Sequence, residues 1–239
     1  MEEEKIKKSK DYFLPFSILI AAILIAGSLV YSAGKSTAPV NPLAADLNAN
    51  IPTAKPDVSD AVWLGDSAAP VSIIEYGDFQ CPVCGSFFSE VFPLLKKDYI
   101  DTGKVKMAYR DFVFLGPESL VAASAVHCAA DQGKFWEYYN LIHAAEFADN
   151  RENNGNLTPD LLTGLAGQLN IDAGVFGSCL SGKKYEEKVL MITAQGQEAG
   201  VRATPTFFIN DQKIEGLDSY DPYGRLKLLI DSELGEAVL

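Results

Sequence analysis

Histidine is nearly missing from this chain of 239 residues: there are two, His127 and His143, beside four cysteines. A structural zinc site needs four soft or borderline ligands at suitable spacing. Only Cys81 and Cys84 are close together, while Cys128 and Cys179 stand alone. The ligand count therefore argues against a metal. An excess of positive charge is missing too. Lys and Arg total 20 against 32 Asp and Glu, a net charge of −12. The first eleven residues are neutral, with four Lys against three Glu and one Asp, so the whole acidic excess lies further along. Such a balance excludes nucleic acid as a partner, and adsorption to anionic lipid as well. Plain solubility accounts for it.

Charge of either sign is absent from Tyr12 to Ala33, where Phe13, Leu14, Phe16, Ile18, Leu19, Ile20, Ile23 and Leu24 dominate. A helix needs about 20 apolar residues to cross a bilayer, and this run supplies them. The head, 1–11, carries Lys5, Lys7, Lys8 and Lys10. Those lysines place the N-terminus in the cytoplasm and the rest of the chain outside, in the periplasm or at the cell surface. Small residues are missing where cleavage of a signal peptide would want them. Cutting after Ala33 puts Tyr31 at the −3 position, and cutting after Ala26 puts Leu24 there. An uncleaved anchor over 12–33 is the expectation, with a signal peptide as its rival. Residues 34–59 hold Pro39, Pro42, Pro52 and Pro56 without any hydrophobic period, and so form an extended tether. No internal repeat is visible.

What the chain does have is a C-x-x-C at a strand-to-helix junction. The β-branched run Val71, Ile73, Ile74 leads into Glu75-Tyr76-Gly77-Asp78-Phe79-Gln80-Cys81-Pro82-Val83-Cys84, and Gly85 to Val91 read as helix. Context makes this a redox signal. At a helix N-terminus, unpaired N–H groups and the helix dipole favour an anion, so the Cys81 pKa falls and the thiolate becomes a good nucleophile and leaving group. Pro82 fits the first helical position, where a missing N–H costs nothing. Cys84 follows one helical turn on, within disulfide reach. An inert disulfide is the competing explanation. The even number of cysteines suits two disulfides in an oxidising compartment.

The folded domain is expected over 60–239. Strands are predicted at Val71 to Tyr76, Lys104 to Arg110 and Thr206 to Ile209, with Gln212 to Glu215 pairing back across the Asn210-Asp211 turn. The first helix is predicted from Pro82 to Tyr99, kinked at Pro93. Helical patterns fill a block at about 117–199, one of them opened by Thr158-Pro159-Asp160, with Thr158 as N-cap. A last amphipathic helix covers Asp221 to Glu233. The order is βαβ, a helical block, then ββα, an α/β fold in which a right-handed crossover makes the first two strands parallel neighbours.

Four stretches together resemble the DsbA-like thiol:disulfide oxidoreductases of thioredoxin fold. They are Ala69 to Cys84, Lys104 to Phe112 with its closing Tyr109-Arg110-Asp111-Phe112, Gln132-Gly133-Lys134-Phe135-Trp136-Glu137-Tyr138-Tyr139, and Val201 to Asn210 with its Thr204-Pro205. The similarity covers residues 60–236 and leaves the anchor and tether outside. It implies a thioredoxin fold with a helical insertion, preceded by one transmembrane helix. It implies that Cys81 attacks, that Cys84 is its buried partner, and that Thr204-Pro205 is a cis-proline loop facing them. Glu75 would move the proton on and off Cys84, with Asp78 as its rival. Pro82 and Val83 would tune the thiolate. Val83 stands where the strongest oxidants of that family have His, which implies a milder oxidant. Phe79, Phe88 and the Thr204-Pro205 loop would form the apolar surface for unfolded peptide. Cys128 and Cys179 resemble a second, non-catalytic disulfide inside the helical block. His127 reads as an ordinary helical residue rather than a ligand.

The resemblance implies disulfide formation or exchange in reduced, exported proteins, with a membrane quinone-linked thiol oxidase as partner. The chemistry runs on two sulfurs and calls for no cofactor. Two alternatives stay open: an isomerase or reductase using the same residues, and a non-catalytic anchored binding domain with a structural disulfide.

Overall fold

The computed structural model describes residues 55–147 and 154–235. The expected head and anchor, and the tether as far as residue 54, lie outside them. Among the described residues no helix is long and apolar enough to cross a membrane.

A five-stranded sheet forms the centre, in the order β1-β3-β2-β4-β5. Strand β2 (Val71–Gly77) runs parallel to β3 (Val105–Asp111) and antiparallel to β4 (Thr206–Ile209). Strand β5 (Gln212–Glu215) closes a hairpin with β4, where Asn210 takes a positive φ of 49°. Asn is among the few residues that tolerate this conformation. The edge strand β1 (Trp63–Leu64) pairs antiparallel with β3 and was not expected. Two residues carry no readable alternation.

Period-two geometry divides β2 between two cores. Val71 and Ile73 pack into the larger one, while Ile74 and Tyr76 join Phe112, Ala199, Val201 and Phe208 in the smaller. Glu75 therefore shares the face of Val71 and Ile73 and is fully buried. A carboxylate on that face has no stabilising part in packing.

After the sheet's central strand comes α1, a helical stretch over 82–100. It alternates α-helical turns (Pro82–Ser86, Phe92–Leu95) with π-helical ones (Phe87–Val91, Lys96–Ile100). The helix passes Pro93 through this widening. The Phe92 N–H bonds back to the Phe87 carbonyl, so the backbone has loosened one turn before the residue that lacks an N–H. Phe87, Val91 and Leu95 fix α1 to the sheet, each at most 1% exposed. Each contributes roughly 1.5–3 kcal/mol of burial.

Between β3 and β4 lie α2 (Pro117–Ala130), α3 (Phe135–Phe147), α4 (Pro159–Gly167), α5 (Ala173–Ser181) and α6 (Glu186–Glu198). Thr158 caps α4 by accepting from the Leu161 N–H at 3.2 Å. Asp172 does the same for α5 through Val175. A disulfide joins Cys128 of α2 to Cys179 of α5, with Cα atoms 5.9 Å apart. Next to it, His127 is buried and its Nε2 lies 2.7 Å from Asp111 Oδ2, which ties α2 to the end of β3. The final helix, α7 (Pro222–Glu233), packs Leu226 and Ile230 into the larger core. Near the start of the described chain, Asp60 pairs with buried Arg110 and with Lys188. Burial acts to raise the Asp60 pKa, but these two cations outweigh it and hold the carboxyl well below its usual range.

Candidate active site

Cys81 is the N-cap of α1, in an extended conformation (φ −75°, ψ 120°), with Pro82 at the first helical position. Its own N–H donates to the Asp78 carbonyl, and its carbonyl accepts from Gly85. The side chain thus sits at the helix start, where N–H groups lack intrahelical partners. Cys81 is 7% exposed and Cys84 is fully buried; both are thiols. The Cys81 pKa drops to about 6. The largest cause is the Cys84 thiol, which donates to the Cys81 sulfur; the Cys84 and Val83 N–H groups add to it, and burial opposes them. Cys84 moves the other way. Burial pushes its pKa well up, and the Cys81 sulfur and Glu75 reinforce this. Two thiols one turn apart are thereby divided into a nucleophile and a reserve.

Opposite them stands the Thr204-Pro205 loop, whose peptide bond is cis. The Cys81 thiol lies 3.5 Å from the Thr204 carbonyl oxygen. Thr204 and Pro205 are both buried, so the loop offers backbone rather than side chain to the cysteines.

Beneath the thiols, Glu75 accepts a hydrogen bond from the Tyr139 hydroxyl at 3.1 Å through Oε2. Its Oε1 is buried without a hydrogen-bond partner. Burial raises its pKa to about 8; the Tyr139 bond opposes this and the Cys81 charge adds to it. A carboxyl with an open oxygen and a pKa near neutrality can hold or release a proton.

Asp78 is also fully buried, but its carboxylate is fully engaged. Oδ1 accepts from Gln80 N–H at 3.0 Å, and Oδ2 from the N–H groups of Phe114 and Leu115 at 3.0 and 3.3 Å. Burial raises the Asp78 pKa, and these donors together with Ser119 work against it. Asp78 clamps the cysteine loop to the turn after β3, and Glu75 is the residue left with an unbonded oxygen.

One expected site residue is placed elsewhere. Phe79 is 1% exposed and belongs to the core, against Tyr109, Tyr139 and His143 with ring centroids 5.1, 5.8 and 4.8 Å away. The loop turns it inward because the Asp78 clamp fixes the backbone on both sides. Phe88 is half-buried against the same cluster. Val83, between the cysteines, is 42% exposed, and Phe114, whose N–H donates to Asp78, is 56% exposed. Pro82 is half-buried beside Val83. Sequence reasoning missed Tyr139 as the partner of Glu75, and Phe114 and Leu115 as partners of Asp78. A long-range backbone donor leaves no trace in a sequence. Tyr139 does leave one: Trp136, Tyr139 and His143 repeat at helical spacing and mark one face of α3. Among the described residues, no group of three or more His, Cys, Asp or Glu is arranged to hold a metal.

A low-pKa cysteine capping a helix after a central strand, a buried second cysteine and an opposing cis-proline loop define a thiol:disulfide oxidoreductase of thioredoxin fold. The family model described as thioredoxin matches residues 57–230, and the chain belongs to that family. It is 31% identical over 183 residues to disulfide bond formation protein D of Bacillus subtilis, covering 75% of this chain and 80% of that one. The crystal structure of oxidised BdbD from Bacillus subtilis superposes with a TM-score of 0.67 at 28% identity, covering 77% of this chain and 97% of that one. That of alpha-DsbA1 from Wolbachia pipientis gives 0.63 at 28%, covering 80% and 95%. The protein is a DsbA-like protein-disulfide oxidoreductase.

Proposed function

We propose that the chain forms disulfides in reduced, exported proteins through Cys81 and Cys84, from a domain anchored outside the cytoplasmic membrane. The observation that carries this is the opposed acidity of the two thiols: Cys81 near 6, Cys84 well above its usual value. Stabilising the Cys81 thiolate stabilises the reduced enzyme, and a stable reduced form makes its disulfide an oxidant.

The cycle starts from the Cys81–Cys84 disulfide. A substrate thiolate attacks the Cys81 sulfur, and Cys84 leaves as a thiolate that takes a proton from Glu75. A second substrate thiolate then attacks the substrate sulfur of the mixed disulfide. Its product is a substrate disulfide, and Cys81 departs as the stabilised thiolate. Two substrate thiols have been oxidised and one enzyme disulfide reduced. A quinone-linked thiol oxidase in the membrane would take up the two electrons. Val83, Phe114 and the backbone at Thr204-Pro205 receive the substrate, with Phe79 supporting them from the core. The uncharged segment 12–33 and the tether behind it hold the domain at the outer membrane–water boundary.

The test is trapping. With Cys84→Ser, mixed disulfides through Cys81 accumulate on exported proteins, because Cys84 can no longer attack back on the Cys81 sulfur and release the substrate. In the wild type, equilibration with glutathione gives a potential above roughly −270 mV, the value typical of thioredoxin. An absence of adducts, or a potential at or below that of thioredoxin, contradicts the oxidase and favours a reductase.

A further inference from the structure

The two histidines have different surroundings. His127 is bound to Asp111. His143, on α3, is fully buried, and neither Nδ1 nor Nε2 has a hydrogen-bond partner. Its ring lies 4.8 Å from that of Phe79, 4.5 Å from that of Tyr139, and stacks on Phe88 at 5.1 Å. Burial lowers its pKa to about 3, so the imidazole is neutral in any ordinary buffer. A neutral imidazole carries one N–H donor and one acceptor. Leaving such groups unpaired in a core is unfavourable, because the water they gave up is not replaced. Phenylalanine would fill this aromatic pocket without that cost. An unsatisfied polar group in a native core calls for a reason, and a functional site is where such costs are met.

The reason lies on the other side of a small cavity. His143 lines it together with Cys81, Pro82, Gly85, Glu146 and Phe147. The other titratable groups around His143 are Tyr139 and Glu146 on its own helix and Tyr109 on β3, with Glu75 behind Tyr139. Among the described residues around this cavity, none is a cation. We propose that His143 is a positioning residue for the nucleophile: its ring N–H turns toward the Cys81 thiolate across the shared cavity and stabilises it from the buried side. This rests on Cys81 being the nucleophile. It gives the chain a thiolate-stabilising group in place of any charge at Val83.

The test compares His143→Phe with His143→Gln in the reduced protein, reading thiolate absorbance against pH and the equilibrium with glutathione. With Phe, the acid dissociation constant of Cys81 falls about tenfold. The dithiol–disulfide equilibrium moves tenfold toward the disulfide, or roughly 30 mV toward a weaker oxidant. Gln keeps an N–H donor and recovers most of both shifts. A folded Phe variant with unchanged acidity and equilibrium overturns the proposal, as does a Gln variant that falls as far as Phe. Should the Phe variant not fold, the ring ¹⁵N shifts of His143 decide it in the wild type. They change between the oxidised and reduced forms if the proposal holds, and stay fixed if it fails. An ordinary thiol pKa already in the wild type defeats the oxidoreductase cycle as well. A low wild-type pKa that Phe leaves in place defeats this inference alone.

Discussion

Glu75→Gln makes the reduced protein more stable at pH 7, by roughly 3 kcal/mol, and slows its turnover by about a hundredfold. The stability gain follows from proton linkage. Glu75 has an ordinary pKa of 4.5 and a folded value of about 8. Its folded pKa is raised, so the stability it allows is complete below pH 4.5 and is lost as the pH climbs through 8. At pH 7 the unfolded carboxyl has released its proton and the folded one has kept it. The gap of about 2.5 pH units converts at 1.36 kcal/mol each. Gln removes this penalty and still accepts from the Tyr139 hydroxyl. The difference between variant and wild type, followed by urea unfolding, should vanish near pH 4, grow to pH 8 and then level off. The loss of rate arises because Gln cannot carry the proton that Cys84 takes and gives up. A flat difference across pH means that Glu75 is solvated. An unchanged rate means that the proton reaches Cys84 by another route.

Replacing Cys128 and Cys179 together by Ala lowers stability by about 4 kcal/mol, the chain-entropy value for a loop of this length. The two residues are 51 apart in sequence and join α2 to α5. In a domain of this size that corresponds to a fall of roughly 10 °C in the unfolding midpoint. The Cys81 pKa should stay where it is, because the bridge touches neither β2 nor the Thr204-Pro205 loop. Calorimetry of the double variant checks the first statement, and thiolate absorbance the second. A loss under 1 kcal/mol would show that the helices between β3 and β4 are held by packing alone.

The parts of the fold that could be read from the chain are those with a local cause. The β-branched run of Val71, Ile73 and Ile74, the Asn210-Asp211 turn and the Thr158-Pro159 start each act over a few residues, and the elements appear within a residue or two of expectation. Cys81 at a strand-to-helix junction was legible for the same reason, since a helix start needs only its own N–H groups to favour a thiolate. What escaped depends on distant contacts. Strand β1 exists through pairing with Ala108 and Met107 rather than through its own pattern. Phe79 stands beside the cysteines in sequence and looked like a contact surface, yet Asp78 reaches across to Phe114 and Leu115 and turns it inward. Glu75 and Asp78 are three residues apart and chemically alike. Only their partners, a tyrosine on α3 and three backbone donors, tell a proton carrier from a clamp.

The most direct measurement is the rate of iodoacetamide alkylation at Cys81 in the reduced, full-length protein as a function of pH, with Cys84 replaced by Ala in a parallel sample. In the wild type the rate rises with a midpoint near pH 6, and the Ala variant moves that midpoint upward by removing the thiol that donates to the Cys81 sulfur. A wild-type midpoint near 8.5, the value of an ordinary cysteine, would mean that the helix start does not hold the sulfur ionised, and the oxidoreductase chemistry at this site would have no nucleophile.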